Sequence, residues 1–281
     1  MTSAGVPLLP WTRWQLPPEV ALGLAAILVT YLALIGPLRP VIAKPERVEG
    51  YRIAAFVSGI LTLFLALTGP LGDLAGTFLF SAHMVQHLLL AVIAPPLLLF
   101  GTPGWLIRPL VLSSPLAPLA RFITRPTIAF AVFSVILTAW HLPVLYNLSP
   151  ADRTVHITMH LMFIASAVVG WWPLMSPLPE LPRLSLPMQM LYVTLLGIPM
   201  VVVAAFVTLA DAVLYPHYAA APRLWGISPL QDQKIGGVIM WVPGHSVFLV
   251  ALTIVFFRWA NDSSDEPEGR ADRRREATHG A

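Results

Sequence analysis

Cysteine is absent from the 281 residues, which removes disulfides, thiolate metal ligands and Cys-x-x-Cys redox motifs from consideration. Charge is almost as scarce, with Asp, Glu, Lys and Arg making up 11% of the chain against 57% hydrophobic residues. So little charge cannot cover the surface of a soluble domain of this length. With a mean hydropathy of +0.74, the composition is that of a polytopic membrane protein. The net charge of +3 comes from no basic patch interleaved with aromatics, so nucleic acid is not an expected partner. No repeat of solenoid period is visible either.

What is present is a series of apolar runs, each near the roughly 20 residues a helix needs to cross a bilayer. They predict an all-α bundle of seven transmembrane helices at 19–38, 51–69, 76–100, 126–146, 153–175, 187–210 and 232–258. Most prolines mark helix ends, but Pro95, Pro96 and Pro243 fall inside spans, where they should kink the helix and free carbonyls for neighbours to satisfy. Most Lys and Arg, including Arg39, Lys44, Arg108, Arg121, Arg183 and Arg258, fall on one side. The positive-inside rule then places the N-terminus outside and the C-terminus in the cytoplasm. The predicted organisation is a short external segment over 1–18, the membrane domain over 19–258 and a polar, disordered cytoplasmic tail over 259–281. The first residues lack the basic region and small-residue site of a cleavable signal, so the first span is expected to be retained.

Two His-x-x-x-His pairs, His83 with His87 and His156 with His160, lie within these spans. Residues four apart share a helix face, so each pair directs two imidazoles the same way. Ionisable groups inside a bilayer are costly and mark function by default. With this topology His83 and His87 lie about 10 and 16 Å below the outer surface, His141 roughly 8 Å, and His156 and His160 roughly 5 and 10 Å, which puts five histidines in one layer. His, Met, Asp or backbone must supply any metal ligand. The expected set is His83, His87, His141, His156 and His160, with Met240 and Asp232 as further donors from the seventh span. Imidazole with nearby thioether favours copper, and zinc ranks second.

Other readings of the same residues compete. His217 and His245 are expected to be hydrogen-bonded packing residues, and Met84, Met159 and Met162 core fillers. Trp105, Trp140, Trp171, Trp172 and Trp259 are expected to form an interfacial belt, and Gly236, Gly237 and Gly244 to permit close helix packing. His-Met-Val-Gln-His lacks the glutamate of a zinc protease. Facing histidines such as His87 and His160 could instead ligate haem iron, the alternative reading of a haem-binding or redox protein. A photoreceptor or ion pathway is disfavoured, because charge near mid-membrane is lacking and Lys234 lies close to the edge.

The run SAHMVQHLLLAVIAPPLLLFGTP from Ser81 to Pro103 resembles the signature of the seven-span CtaG family, the caa3-type cytochrome c oxidase assembly factors of bacteria. Three further blocks are similar to it: WHLPVLY from Trp140, HITMH ahead of GWWP between His156 and Pro173, and SPLQDQKIGGVIMWVPG from Ser228. The resemblance implies a multi-pass plasma-membrane protein, not an enzyme, that helps mature a haem-copper oxidase. Oxidase subunits are the partners this implies, and the copper and membrane readings add an external copper donor and lipid as expected partners. His83, His87, His141, His156, His160, Asp232 and Met240 match the family's polar motif positions. A single-span copper protein sharing the CtaG name relies on cysteines, and that mechanism does not transfer to a chain with none.

Overall fold

The fold is described by a computed structural model over residues 14, 16–39, 47–112, 115–149 and 152–279, with 263–279 given as backbone only. The expected external segment 1–18 lies almost wholly outside the described residues. All regular structure among them is helical. The long helices are α1 (Pro18–Ile35), α2 (Gly50–Leu67), α3 (Phe80–Gly101), α4 (Pro126–His141), α5 (Arg153–Met175), α6 (Leu186–Leu209) and α7 (Pro229–Asp262). Six of them, all but α4, are long and apolar enough to cross a membrane. The helical backbone of α7 continues to His279, through the segment read from sequence as a separate tail.

The fourth apolar run, expected as one helix over 126–146, divides. Pro143 has no N–H and disfavours helical geometry at the residue before it, so Leu142 adopts φ −67° and ψ 133°. The helix therefore ends on His141, and a short helix, Pro143–Tyr146, follows.

The bundle is held chiefly by side-chain interdigitation, since the ion pairs between elements among the described residues, Arg153 with Glu19 and Arg108 with Glu180, are solvent-exposed and contribute little. The second half of α3 packs along α2 and its first half against the start of α7, while α5 lies between α4 and α3, and α6 lines α7. At the periphery α1 leans on α2, where Tyr31 stacks on Phe56 with ring centroids 3.7 Å apart and donates its hydroxyl to the Gly101 carbonyl at 2.8 Å. The glycines of α7 sit at close helix approaches, as expected. A Cβ on Gly237 would lie 2.2 Å from Thr208 Oγ1, and one on Gly236 2.5 Å from the Phe80 ring.

Both helices expected to kink contain a π turn, Leu89–Ile93 ahead of Pro95-Pro96 and Met240–Gly244 around Pro243. In α3 the Ala91 carbonyl faces prolines at both the α and π positions, which have no N–H to offer. The indole of Trp171 on α5 supplies the missing donor at 3.2 Å. This corrects the belt reading for that residue. Trp140, Trp171 and Trp172 are buried in the core, and among these five Trp259 alone is exposed. An indole N–H can satisfy a freed carbonyl as readily as it sits among headgroups, and composition does not separate the two.

Candidate metal centre

The five histidines are gathered at one end of the bundle by the starts of α3 and α5 and the end of α4. On α5 the Asp152 side chain accepts the Thr154 N–H at 2.7 Å and the Val155 N–H at 3.3 Å, so the helix starts at Arg153 and presents His156 and His160 from its first two turns. On α3 no local side chain does this. Its cap comes from α7: Asp232 accepts the N–H of Phe80 at 2.7 Å and that of Ser81 at 3.1 Å, and the Ser81 hydroxyl at 2.5 Å. The Ser228 capping box, with Pro229 in the first turn, fixes where α7 starts and so where Asp232 lies.

This capture reaches the turn before α3. Leu74–Phe78 is a π turn, in which the Leu79 N–H reaches the Leu74 carbonyl at 2.9 Å. Continuing that register would send the Phe80 and Ser81 N–H groups to Ala75 and Gly76. Asp232 holds them instead, and the two carbonyls find other donors. Tyr218 donates its hydroxyl to Ala75 at 2.7 Å, and His217 Nε2 donates to Gly76 at 3.1 Å. Both donors lie on the short helix Pro216–Ala220, whose Tyr218 carbonyl accepts from the Arg223 guanidinium. Burial pushes the Tyr218 phenol pKa well up, so its proton is retained at physiological pH.

His83 Nε2 and His87 Nε2 lie 2.8 Å apart, and His83 Nδ1 is 2.7 Å from the Tyr218 hydroxyl. The His83 ring centroid is 5.5 Å from that of His156 and 5.8 Å from that of His160, while His87 lies 5.4 Å from His141 and 5.8 Å from His160. Each of His83, His87 and His160 offers a ring nitrogen within 4.8 Å of the other two. All three are buried, as is His141, and His156 is half-buried. Phe163, one turn beyond His160, packs on His87 at 4.4 Å and on His141 at 5.6 Å, closing the cluster with an apolar ring.

Four ring nitrogens here are buried without a hydrogen-bond partner among the described residues: His87 Nδ1, His141 Nε2, His156 Nε2 and His160 Nε2. Leaving a buried polar atom unsatisfied costs about 1–3 kcal/mol, so four within one cluster are hard to explain as packing. His141 donates Nδ1–H to the Leu137 carbonyl at 2.7 Å, which leaves its Nε2 as a bare lone pair. The chemistry of the set is that of imidazole nitrogen donors gathered among largely buried side chains.

The structure thus brings together His83, His87, His141, His156 and His160. It puts Asp232 at the start of α3, fully buried, with both carboxylate oxygens engaged by Phe80 and Ser81. Met240, Met84 and Met159 are buried in the principal hydrophobic core, and Met84 packs toward Gly236 of α7. His245 faces Gly197 of α6. Sequence reasoning missed Tyr218, Tyr146 and Tyr215. Tyr146 donates to the Tyr218 hydroxyl at 3.2 Å, and Tyr215 donates to the His141 carbonyl at 2.8 Å. Their signal was available: tyrosine in so apolar a chain must find a polar partner when buried.

The family model described as cytochrome c oxidase caa3 assembly factor (Caa3_CtaG) matches residues 29–262, which takes in α2 to α7 whole and the C-terminal part of α1. The chain belongs to the caa3 cytochrome c oxidase assembly factor family. The resemblance carried by the histidine motifs is therefore upheld over most of the chain. This family member is also similar to the uncharacterized protein ML1998 of Mycobacterium leprae, at 23% identity over 257 residues; the match covers 81% of this chain and 37% of that protein. No solved structure gives a significant match.

Proposed function

We propose that this assembly factor carries copper to a haem-copper oxidase, holding the ion among the imidazoles of α3, α4 and α5. The observation that supports it best is the triad His83, His87 and His160, with ring nitrogens within 4.8 Å of one another in a buried apolar layer. Imidazole nitrogens around one ion sit at about 2.0–2.1 Å from it, and small ring rotations would draw this triad to that spacing. Copper is preferred over zinc because a monovalent ion on neutral ligands brings the least charge into a medium that penalises it. His141 supplies a further lone pair at the cluster. Half-buried His156 is the loading residue, since it is the most accessible of the five. Asp232 and Met240 act by holding α3 and α7 rather than as ligands. The protein spans the plasma membrane seven times, α4 included, with the histidine end outside. It docks against an oxidase subunit, receives copper from an external donor and catalyses no reaction.

Metal analysis of the purified protein beside His87→Ala and His160→Ala tests this. Wild-type protein reconstituted with Cu(I) should hold it stoichiometrically and both variants should lose it. Equal, sub-stoichiometric copper in all three would overturn the ligand assignment. The haem reading is weaker, because His83, His141 and Phe163 pack directly around His87 where a porphyrin plane would need an open slot. A stoichiometric Soret band would reverse that ranking.

A further inference from the structure

We propose that Tyr218, on the short helix between α6 and α7, is a positioning residue that fixes the tautomer of His83 and so presents its Nε2 as the lone pair of the site. A phenol oxygen has one proton and two acceptor positions. Tyr218 spends its proton on the Ala75 carbonyl, 2.7 Å away, because a carbonyl can only accept. Its oxygen is therefore an acceptor toward its other two neighbours, Tyr146 Oη at 3.2 Å and His83 Nδ1 at 2.7 Å. His83 must then carry hydrogen on Nδ1. In the neutral ring that leaves Nε2 bare, and Nε2 is the atom directed at His87. A partner on the far nitrogen is the usual means by which a protein sets the tautomer and orientation of a ligating imidazole.

The phenol's own proton is committed in turn by Asp232. The Ala75 carbonyl accepts from Tyr218 because Asp232 holds the Phe80 N–H that a continued π turn would have sent there. A carboxylate on α7 thus acts on an imidazole of α3 through one backbone carbonyl and one phenol. His141 reaches the same state by a different route, donating Nδ1–H to Leu137 of its own helix. Two rings of the cluster are therefore locked with Nε2 bare. The chain places its own donors so that both rings, each beside His87, keep a bare Nε2.

The proposal extends the copper reading, but its central claim concerns the metal-free protein. The test is 15N NMR of histidine-labelled protein in nanodiscs without metal, with the His83 signals assigned by their loss in His83→Gln. Wild type should show a protonated Nδ1 and a bare Nε2 at His83, and Tyr218→Phe should redistribute the ring between tautomers. Affinity for Cu(I), read against a competing chelator, should fall about 10- to 100-fold in Tyr218→Phe. Tyr192→Phe removes a buried hydroxyl donated to Gly170 at 2.9 Å, ten residues beyond His160, and should change neither readout. A wild-type His83 protonated at Nε2, or a tautomer unmoved in Tyr218→Phe, would overturn the proposal. The expected tautomers in a protein that binds no Cu(I) would uphold it while refuting the transport function.

Discussion

The Asp232 carboxylate on α7 accepts the backbone N–H of Phe80 at the start of α3, 2.7 Å away across 152 positions of sequence. One turn into α3 lies His83, so the depth and rotation of the first histidine pair are set by a residue on another helix. The contact also explains why a full carboxylate is tolerated with no exposed surface: it accepts two backbone N–H groups and a hydroxyl at the positive end of a helix.

Asp232→Asn should accordingly be more damaging than its near-identical volume suggests. The amide turns one acceptor into a donor facing an N–H, and loss of a charge-assisted bond costs about 1.5–3 kcal/mol. Thermal unfolding in detergent should show a lowered midpoint, and Cu(I) affinity should fall because the Ala75 carbonyl is recaptured by α3. An unchanged midpoint and affinity would mean that the cap is unimportant.

His156 and the deeper imidazoles should separate kinetically. Because His156 is half-buried while His83, His87 and His160 are buried, His156→Ala is expected to slow Cu(I) loading by about tenfold or more while weakening equilibrium affinity less than His87→Ala does. Stopped-flow uptake from a chromophoric chelator measures the rate, and equilibrium competition with the same chelator measures the affinity. Equal losses in both for the two variants would place His156 in the site rather than on the way to it.

Close packing of α7 against α6 leaves no room at Gly237, where an added Cβ would come within 2.2 Å of Thr208 Oγ1 and 2.9 Å of the Thr208 backbone nitrogen. Gly237→Ala should therefore cost about 1–3 kcal/mol as the helices part. Gly23 of α1 has nothing within 4 Å of the same position, and Gly23→Ala should be neutral or slightly stabilising, through helix propensity. Thermal melts of the two variants should diverge, and similar midpoints would contradict the packing described.

In cells, His87→Ala and His160→Ala should lower oxidase activity and oxidase copper content while the oxidase polypeptides are still made. Extra copper in the medium should restore part of the activity if the defect is one of affinity. His217→Ala, which removes the bond to Gly76 and an edge contact with the Tyr218 ring but none of the five cluster imidazoles, should have a much smaller effect. Normal oxidase copper in both ligand variants would refute the transfer role whatever the protein itself binds.

The helical spans were legible in the linear pattern because, in hydrocarbon, a chain must satisfy its backbone within each segment, so every span announces itself as an uninterrupted apolar run. The two histidine pairs were legible for a related reason: positions four apart share a face in any α-helix. The chemical preference for nitrogen donors followed from residue types alone, with no cysteine to compete. The division of the fourth run was available in principle from Pro143. Beyond that, the decisive relationships join residues whose separation in sequence carries no information about their approach in space. Tertiary structure alone brought His141 beside His87, turned Trp171 from a membrane-surface residue into the donor for a proline-freed carbonyl, and gave Asp232 and Tyr218 their roles. Periodicity tells which way a side chain leaves its own helix, whereas the partner it meets depends on how neighbouring helices are rotated and offset. Small residues such as Gly236 and Gly237, and caps supplied from other helices, set those offsets through contacts that no single segment contains.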